Sequence, residues 1–165
     1  MSSPNEHAVA DTALPADSVG LLEGITTTRS IRRHRDDPVP PEPLRALLLA
    51  PPRAPRASHR PPFPMRVLTD GPTAQEAKRL SGAAARKGWA AKRQNDAYDT
   101  GSGAIENSPK ARTASTLQRY VDDFDRVPVL ILPCLVRYRA ATPFEGGSIY
   151  PACQNLLLAA RALGY

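Results

Sequence analysis

The sequence predicts an α+β fold, with helices around a small sheet. Apolar residues recur at helical spacing through most of the chain. Only two runs read as strands, residues 65–69 and residues 127–136. The second is rich in Val, Ile and Leu and has the length of a buried strand.

In chain order, residues 1–16 are polar, with small residues and two prolines, and read as a flexible tail. Residues 17–165 form the domain that follows. Asp17-Ser18 offers a helix N-cap, and Leu21, Leu22 and Ile25 give a short helix one apolar face. Residues 36–43 form a proline-stiffened turn. Pro43 suits the first turn of the next helix, where its missing N–H costs nothing. That helix carries Leu44, Leu47 and Leu48 and breaks at Pro51-Pro52. Residues 51–64 hold six prolines and no glycine, which predicts an extended loop. Met65 to Thr69 is the first strand, ended by Asp70-Gly71.

Pro72-Thr73 starts a long helix, rich in Ala and Lys, that runs to about Arg93 and carries Trp89. Residues 94–108 form a loop or lid. The next helix spans 110–123 with Leu117, Tyr120 and Val121 inward, followed by the strand Val127 to Val136. Residues 140–147 form a loop. The final amphipathic helix, from Ser148 to Leu163, places Ile149, Cys153, Leu156, Leu157, Ala160 and Leu163 at helical spacing. Leu163-Gly164 closes it as a C-cap. Two strands are too few for a stable sheet, and a capped helix normally hands over to another element. The sheet is therefore expected to be incomplete, with the C-terminal part of the domain missing.

Composition narrows the function classes. At 165 residues the chain has the length of one domain. Its formal net charge of +6 favours phosphorylated or polyanionic partners. A small basic nucleic-acid binder is one alternative, but the positive charge is scattered and aromatic residues, at 5%, supply no stacking motif. Cys134 and Cys153 lie in apolar runs and read as small core residues, so neither a disulfide nor a metal site is expected. No apolar run approaches membrane-spanning length, which leaves a cytoplasmic protein as the default.

The stretch Thr28-Arg29-Ser30-Ile31-Arg32-Arg33-His34-Arg35 carries the most chemistry. Guanidinium groups make short bidentate hydrogen bonds to phosphate, about twice as strong as neutral ones. They stay ionised at any working pH, and the Ser hydroxyl adds a donor. The stretch reads as a phosphate grip. The competing reading is a solvated basic turn next to Asp36-Asp37.

The order of segments resembles the FMN-dependent nitroreductases across residues 19–165. An Arg-Ser-x-Arg segment follows a first short helix. A Pro-rich turn, a Leu-rich helix, an Ala-Pro loop and a strand come next. A Val-Pro-Val-Leu-Ile strand then precedes a Pro-x-Glu-Gly loop, which leads into a Gln-Asn-Leu-Leu-Leu-Ala-Ala helix. The resemblance implies FMN as cofactor, with Arg29, Ser30 and Arg32 on its phosphate. It implies that Pro143-Phe144-Glu145-Gly146 lies along the flavin ring through backbone N–H groups, so that Pro143, Glu145 and Gly146 join the cofactor site. An ordinary turn before a helix reads equally well from those residues alone. Gln154 and Asn155 receive no chemical role.

Two departures from the family stand out. Its flavin-edge loop normally reads Ala-Pro-Ser-x-x-Asn-x-Gln-Pro before an aromatic residue. Here the Ser is Arg56, the Asn is His59 and the Gln is Pro61. His59 could replace one amide contact, since imidazole donates and accepts; Pro61 could not. A buried flavin edge left unpaired costs roughly 1–3 kcal/mol per group. The family also often has a second basic residue where this chain has Thr28. The other departure is the missing C-terminal part, which in the family completes the phosphate site and wraps the partner subunit.

The implied activity is hydride transfer from NADH or NADPH through flavin to nitroaromatics, quinones or similar electron-poor acceptors, in a homodimer. The cofactor carries that chemistry, so no catalytic residue is assigned, and neither His34 nor His59 is needed as a base. The resemblance implies neither nucleic acid nor membrane as a partner. The competing reading of the same resemblance is a truncated, degenerate member with no activity.

Overall fold

Helical spacing of Leu and Ala produces five α-helices among the residues described by the computed structural model, which are 15–55, 64–137, 140–142 and 144–165. They are α1 (Leu21–Thr27), α2 (Pro41–Leu49), α3 (Gly71–Asn95), α4 (Pro109–Asp122) and α5 (Gly146–Ala162). The strands are β1 (Met65–Leu68) and β2 (Leu130–Pro133). Short 3₁₀ turns occupy Pro51–Arg53, Gly101–Gly103 and Phe124–Arg126. The expected α+β class, helices with a small sheet, is what forms.

These elements group into two compact units. The described residues of the first lie within Met1–Thr28, Pro41–His59 and Gly146–Tyr165; those of the second lie within Arg29–Pro40 and Arg60–Glu145.

In the first unit, α5 packs against α1, α2 and the turn at Pro51–Arg53. Ala46, Leu47, Pro51, Ala54 and Ala152 are buried there, Ala152 completely. The expected Leu stripe of α5 is less buried than this small residue, and Leu157 is exposed. An alanine allows neighbouring backbone to approach closely, and Asn155 uses that proximity to donate to the Ala50 carbonyl at 3.2 Å.

Leu21, Leu22 and Ile25 do not face inward as expected; they are 72%, 77% and 53% exposed. The side of α1 turned to α5 is small and polar. Gly24 is buried, the Thr27 hydroxyl accepts from Arg161 Nε at 3.1 Å, and Glu23 pairs with Arg161 at 3.8 Å. Ser18 does not cap α1, whose N-cap is Gly20. Its hydroxyl and backbone N–H both donate to the Ala162 carbonyl, at 2.6 and 2.7 Å. That carbonyl is one of the last in α5, which have no partner within the helix. The expected C-cap forms as a Schellman motif. Gly164 has φ +83°, its N–H donates to Arg161 O at 3.2 Å, and the Tyr165 N–H donates to Ala160 O at 2.8 Å.

Pro51–Arg53 is a 3₁₀ turn, where an extended loop was expected from residue 51 onward. The fixed φ of proline is as compatible with a 3₁₀ turn as with extended chain, and the Ala54 N–H closes the turn on Pro51 O at 3.2 Å. Residues 56–63 lie outside the described residues.

In the second unit, β1 and β2 pair antiparallel, Met65 opposite Pro133 and Leu68 opposite Leu130. The long buried strand expected over 127–136 is only four residues, and Leu132, Leu135 and Val136 are exposed. Pro128, which has no N–H, cannot extend the ladder at the start of the run; past Pro133 the Cys134 N–H still donates to Pro64 O at 2.9 Å. Lys78 of α3 is buried, and its ammonium group donates to Thr69 O at 2.5 Å and Pro128 O at 3.2 Å. It thereby ties α3 to one end of the antiparallel pair.

Trp89 of α3 meets Ala114 and Val121 of α4 in a core flanked by Ala85, Tyr98, Leu117 and Tyr120. The inward residues expected on α4 are thus confirmed. The Trp89 indole N–H donates to Gln118 Oε1 at 2.9 Å, which satisfies its one polar atom. No helix among the described residues is long and apolar enough to cross a membrane.

Candidate functional site

Three consecutive threonines end α1. The hydroxyls of Thr26, Thr27 and Thr28 donate to carbonyls one turn back, Leu22 O at 2.8 Å, Glu23 O at 2.6 Å and Gly24 O at 2.5 Å. Such back-bonding competes with helix propagation, and Thr28 leaves the helix with extended backbone. The Thr28 hydroxyl, at the position where a second basic residue is frequent in the resembling family, is committed to this cap.

Beyond it, residues 29–36 carry no regular secondary structure and all are exposed. The charges in this segment are sorted unevenly. Arg35 pairs with Asp37 at 2.7 Å, and Asp36 pairs with Arg126. One acid is thus taken by Arg35 of the stretch itself and the other by Arg126 from outside it. Among the described residues Arg29 and Arg32 have no carboxylate partner, and the one side-chain bond of Arg32 is from Nη1 to the Ser30 carbonyl at 3.3 Å. Two guanidinium groups and one hydroxyl, all in water and close in sequence, suit a phosphate.

Arg32 also helps line a cavity of about 240 Å³ with Arg33, His34, Asp36, Tyr120 and Arg126. The His34 ring lies 5.6 Å from that of Tyr120. Arg29 and Ser30 are not among its lining residues. Tyr120 and Arg126 escaped sequence reasoning as contributors here. The Asp36–Arg126 pair joins residues 90 positions apart, and no local pattern signals such a pairing.

The Glu-Gly segment has different geometry. Glu145 ends a turn, with its N–H donating to Thr142 O at 3.3 Å. Its carboxylate accepts from Arg137 Nε at 2.9 and 3.2 Å, a partner the sequence did not suggest. Gly146, expected in a loop, is the first residue of α5. Its N–H is thus one of the helix-terminal donors with no acceptor inside the helix. A Cβ on Gly146 would come within 2.5 Å of the Tyr150 ring. Of the other expected cofactor residues, His59 and Pro143 lie outside the described residues, as do Arg56 and Pro61 of the altered loop.

Residues 94–108, expected as a loop or lid, are anchored to α3. Arg93 makes a bidentate pair with Asp99, with contacts of 2.7 to 3.0 Å, and Lys92 pairs with Asp96 at 2.5 Å. The Arg93 guanidinium holds the Asp99 carboxyl below the usual carboxylate range. Tyr98 packs edge-on to Trp89 at 5.1 Å between ring centroids. Cys134 and Cys153 are both free thiols, half-buried.

Over residues 25–165 the sequence matches the nitroreductase family. The fold is similar to the crystal structure of a nitroreductase-like family protein from Bacillus cereus, with a TM-score of 0.50 and 16% identity. That alignment covers 88% of this chain and 66% of the other, so this chain spans a little under two thirds of that protein. It is also similar to the FMN-dependent nitroreductase NfnB from Mycobacterium smegmatis, solved in complex with NADPH. There the TM-score is 0.52 and the identity 18%, over 87% of this chain and 70% of the other. At these identities the likeness concerns the fold. No curated protein matches the sequence.

Proposed function

The chain belongs to the nitroreductase family, and from that membership we propose that it is an FMN-dependent oxidoreductase. It passes hydride from NADPH or NADH to nitroaromatic, quinone or similar electron-poor acceptors. The observation that carries this reading is the pair of cations, Arg29 and Arg32, without carboxylate partners among the described residues, while Asp36 and Asp37 pair with Arg126 and Arg35. Within the same stretch Arg35 takes the adjacent Asp37, whereas Arg29 and Arg32 take neither acid. The donor set instead fits a phosphate monoester.

In this reading Arg29, Ser30 and Arg32 hold the FMN phosphate. The helix-terminal N–H of Gly146 and the Pro143–Glu145 segment serve the ring, with His59 at its polar edge. The Arg137–Glu145 pair fixes the residue before Gly146, which orients the backbone donor. Hydride exchange is the chemistry that bound FMN supplies; the chain contributes binding, orientation and the local field. The self-association and cytoplasmic setting usual for the resembling family belong to the same proposal.

The test is spectroscopic and kinetic. Purified protein supplied with FMN takes on flavin absorbance and oxidises NADPH or NADH with a quinone or nitroaromatic acceptor, with ping-pong kinetics. A colourless protein that takes up no added FMN overturns the proposal.

A further inference from the structure

We infer that a groove along α4 is a second anion site, built to take the phosphate monoester group of a small molecule. It has a volume of about 350 Å³ and is lined by Arg33, Glu106, Arg112, Ser115, Thr116 and Arg119 among others. Arg112, Ser115, Thr116 and Arg119 follow helical spacing and so share one face of α4. Arg33 enters from the segment before α2.

The charges in the groove do not cancel. Three guanidinium groups face one carboxylate, and no ion pair joins Glu106 to any of the three among the described residues. The surplus of two positive charges matches a phosphate monoester, which carries about −1.5 to −2 at neutral pH. Arg112 is positioned by its donation to Asn107 O at 2.6 Å. The conformation of that residue is itself special, since Asn107 has φ +60°, a region that Asn tolerates better than most residues. Among the described residues the side chains of Arg33, Arg119, Ser115 and Thr116 have no hydrogen-bond partner. Two fork-shaped donors and two hydroxyls are therefore available to three phosphate oxygens. Elsewhere on the same unit Arg79, Arg93 and Arg126 are paired with acids, Glu76, Asp99 and Asp36. The concave shape favours a small ligand over the extended basic stripe that nucleic acid needs.

This inference stands apart from the flavin proposal, because it uses neither Arg29, Ser30 nor Arg32. Its test titrates the full chain at physiological salt with adenosine 2′-monophosphate, inorganic phosphate and adenosine, followed by calorimetry. Both phosphate compounds are expected to bind saturably and adenosine is not. Arg112→Gln and Arg119→Gln are each expected to weaken binding roughly tenfold, and Arg66→Ala, at an exposed arginine outside the groove, to leave it unchanged. Equal binding of adenosine, or no saturable binding of either phosphate compound, overturns the inference without any variant. So does binding lost in Arg29→Ala but kept in Arg112→Gln, which places the anion on the other segment. Tight, steeply salt-dependent binding of duplex DNA that excludes the mononucleotide also overturns it.

Discussion

At the scale of single residues, identity alone does not reveal which charges are committed. The sequence shows Arg29, Ser30 and Arg32 as phosphate donors next to two acids. Only the fold shows that Arg126 takes Asp36, and that the first arginines have no carboxylate partner among the described residues. Glycines have the same ambiguity. Gly103 and Gly88 look alike in sequence, yet a Cβ at Gly103 would lie 2.0 Å from the Tyr98 carbonyl oxygen, and one at Gly88 would meet nothing within 4 Å. Backbone cannot swing aside as a side chain can. Gly103→Ala is expected to destabilise the protein by about 1–3 kcal/mol, as overpacking does. Gly88→Ala in α3 is expected to add about 0.5–1 kcal/mol, the usual gain of replacing a helical glycine. Urea denaturation of the two variants measures both. Equal effects from the two would contradict the crowding at Gly103.

At the scale of elements, the long periodic segments were legible and the short ones less so. The α3 and α4 helices fall within two residues of their expected bounds, because many turns of apolar spacing and a proline at each start define them. The strand after α4 was overread: an apolar run reports burial potential, whereas Pro128, without an N–H, limits how early the run can join a ladder. The facing of α1 was misread because glycine, threonine and Arg161 hydrogen bonds, not leucine burial, set its contact with α5.

The segment after α3 is held by the Arg93–Asp99 pair, which gives it a pH dependence. Hydrogen bonding to Arg93 lowers the Asp99 pKa. A depressed folded-state pKa contributes stability that is fully present above the ordinary aspartate value and is lost as pH falls through the lowered one. Fluorescence of Trp89, which packs on Tyr98, is expected to report loosening of this segment in that acid range. Asp99→Asn should remove the step. A transition unchanged in that variant would assign the acid sensitivity elsewhere.

At the scale of the whole molecule, the family was readable because the order of several weak motifs is more specific than any one of them, and the match over residues 25–165 confirms it. The division into two compact units was not readable, since each unit is assembled from stretches far apart in sequence. Exposed apolar side chains accompany that division: Leu21, Leu22, Tyr150 and Leu157 in the first unit, Leu132, Leu135 and Val136 in the second.

The central claim is that Arg29 and Arg32 hold the phosphate of FMN. Titration of FMN into the full chain, followed by quenching of flavin fluorescence, tests it most directly when wild type, Arg29→Ala and Arg32→Ala are compared with riboflavin as a phosphate-free control. Saturable FMN binding is expected, with riboflavin and each variant weaker by roughly 10- to 100-fold, the loss of one charge-assisted contact of about 1.5–3 kcal/mol. FMN and riboflavin binding alike, or variants that bind FMN as wild type does, would contradict the account.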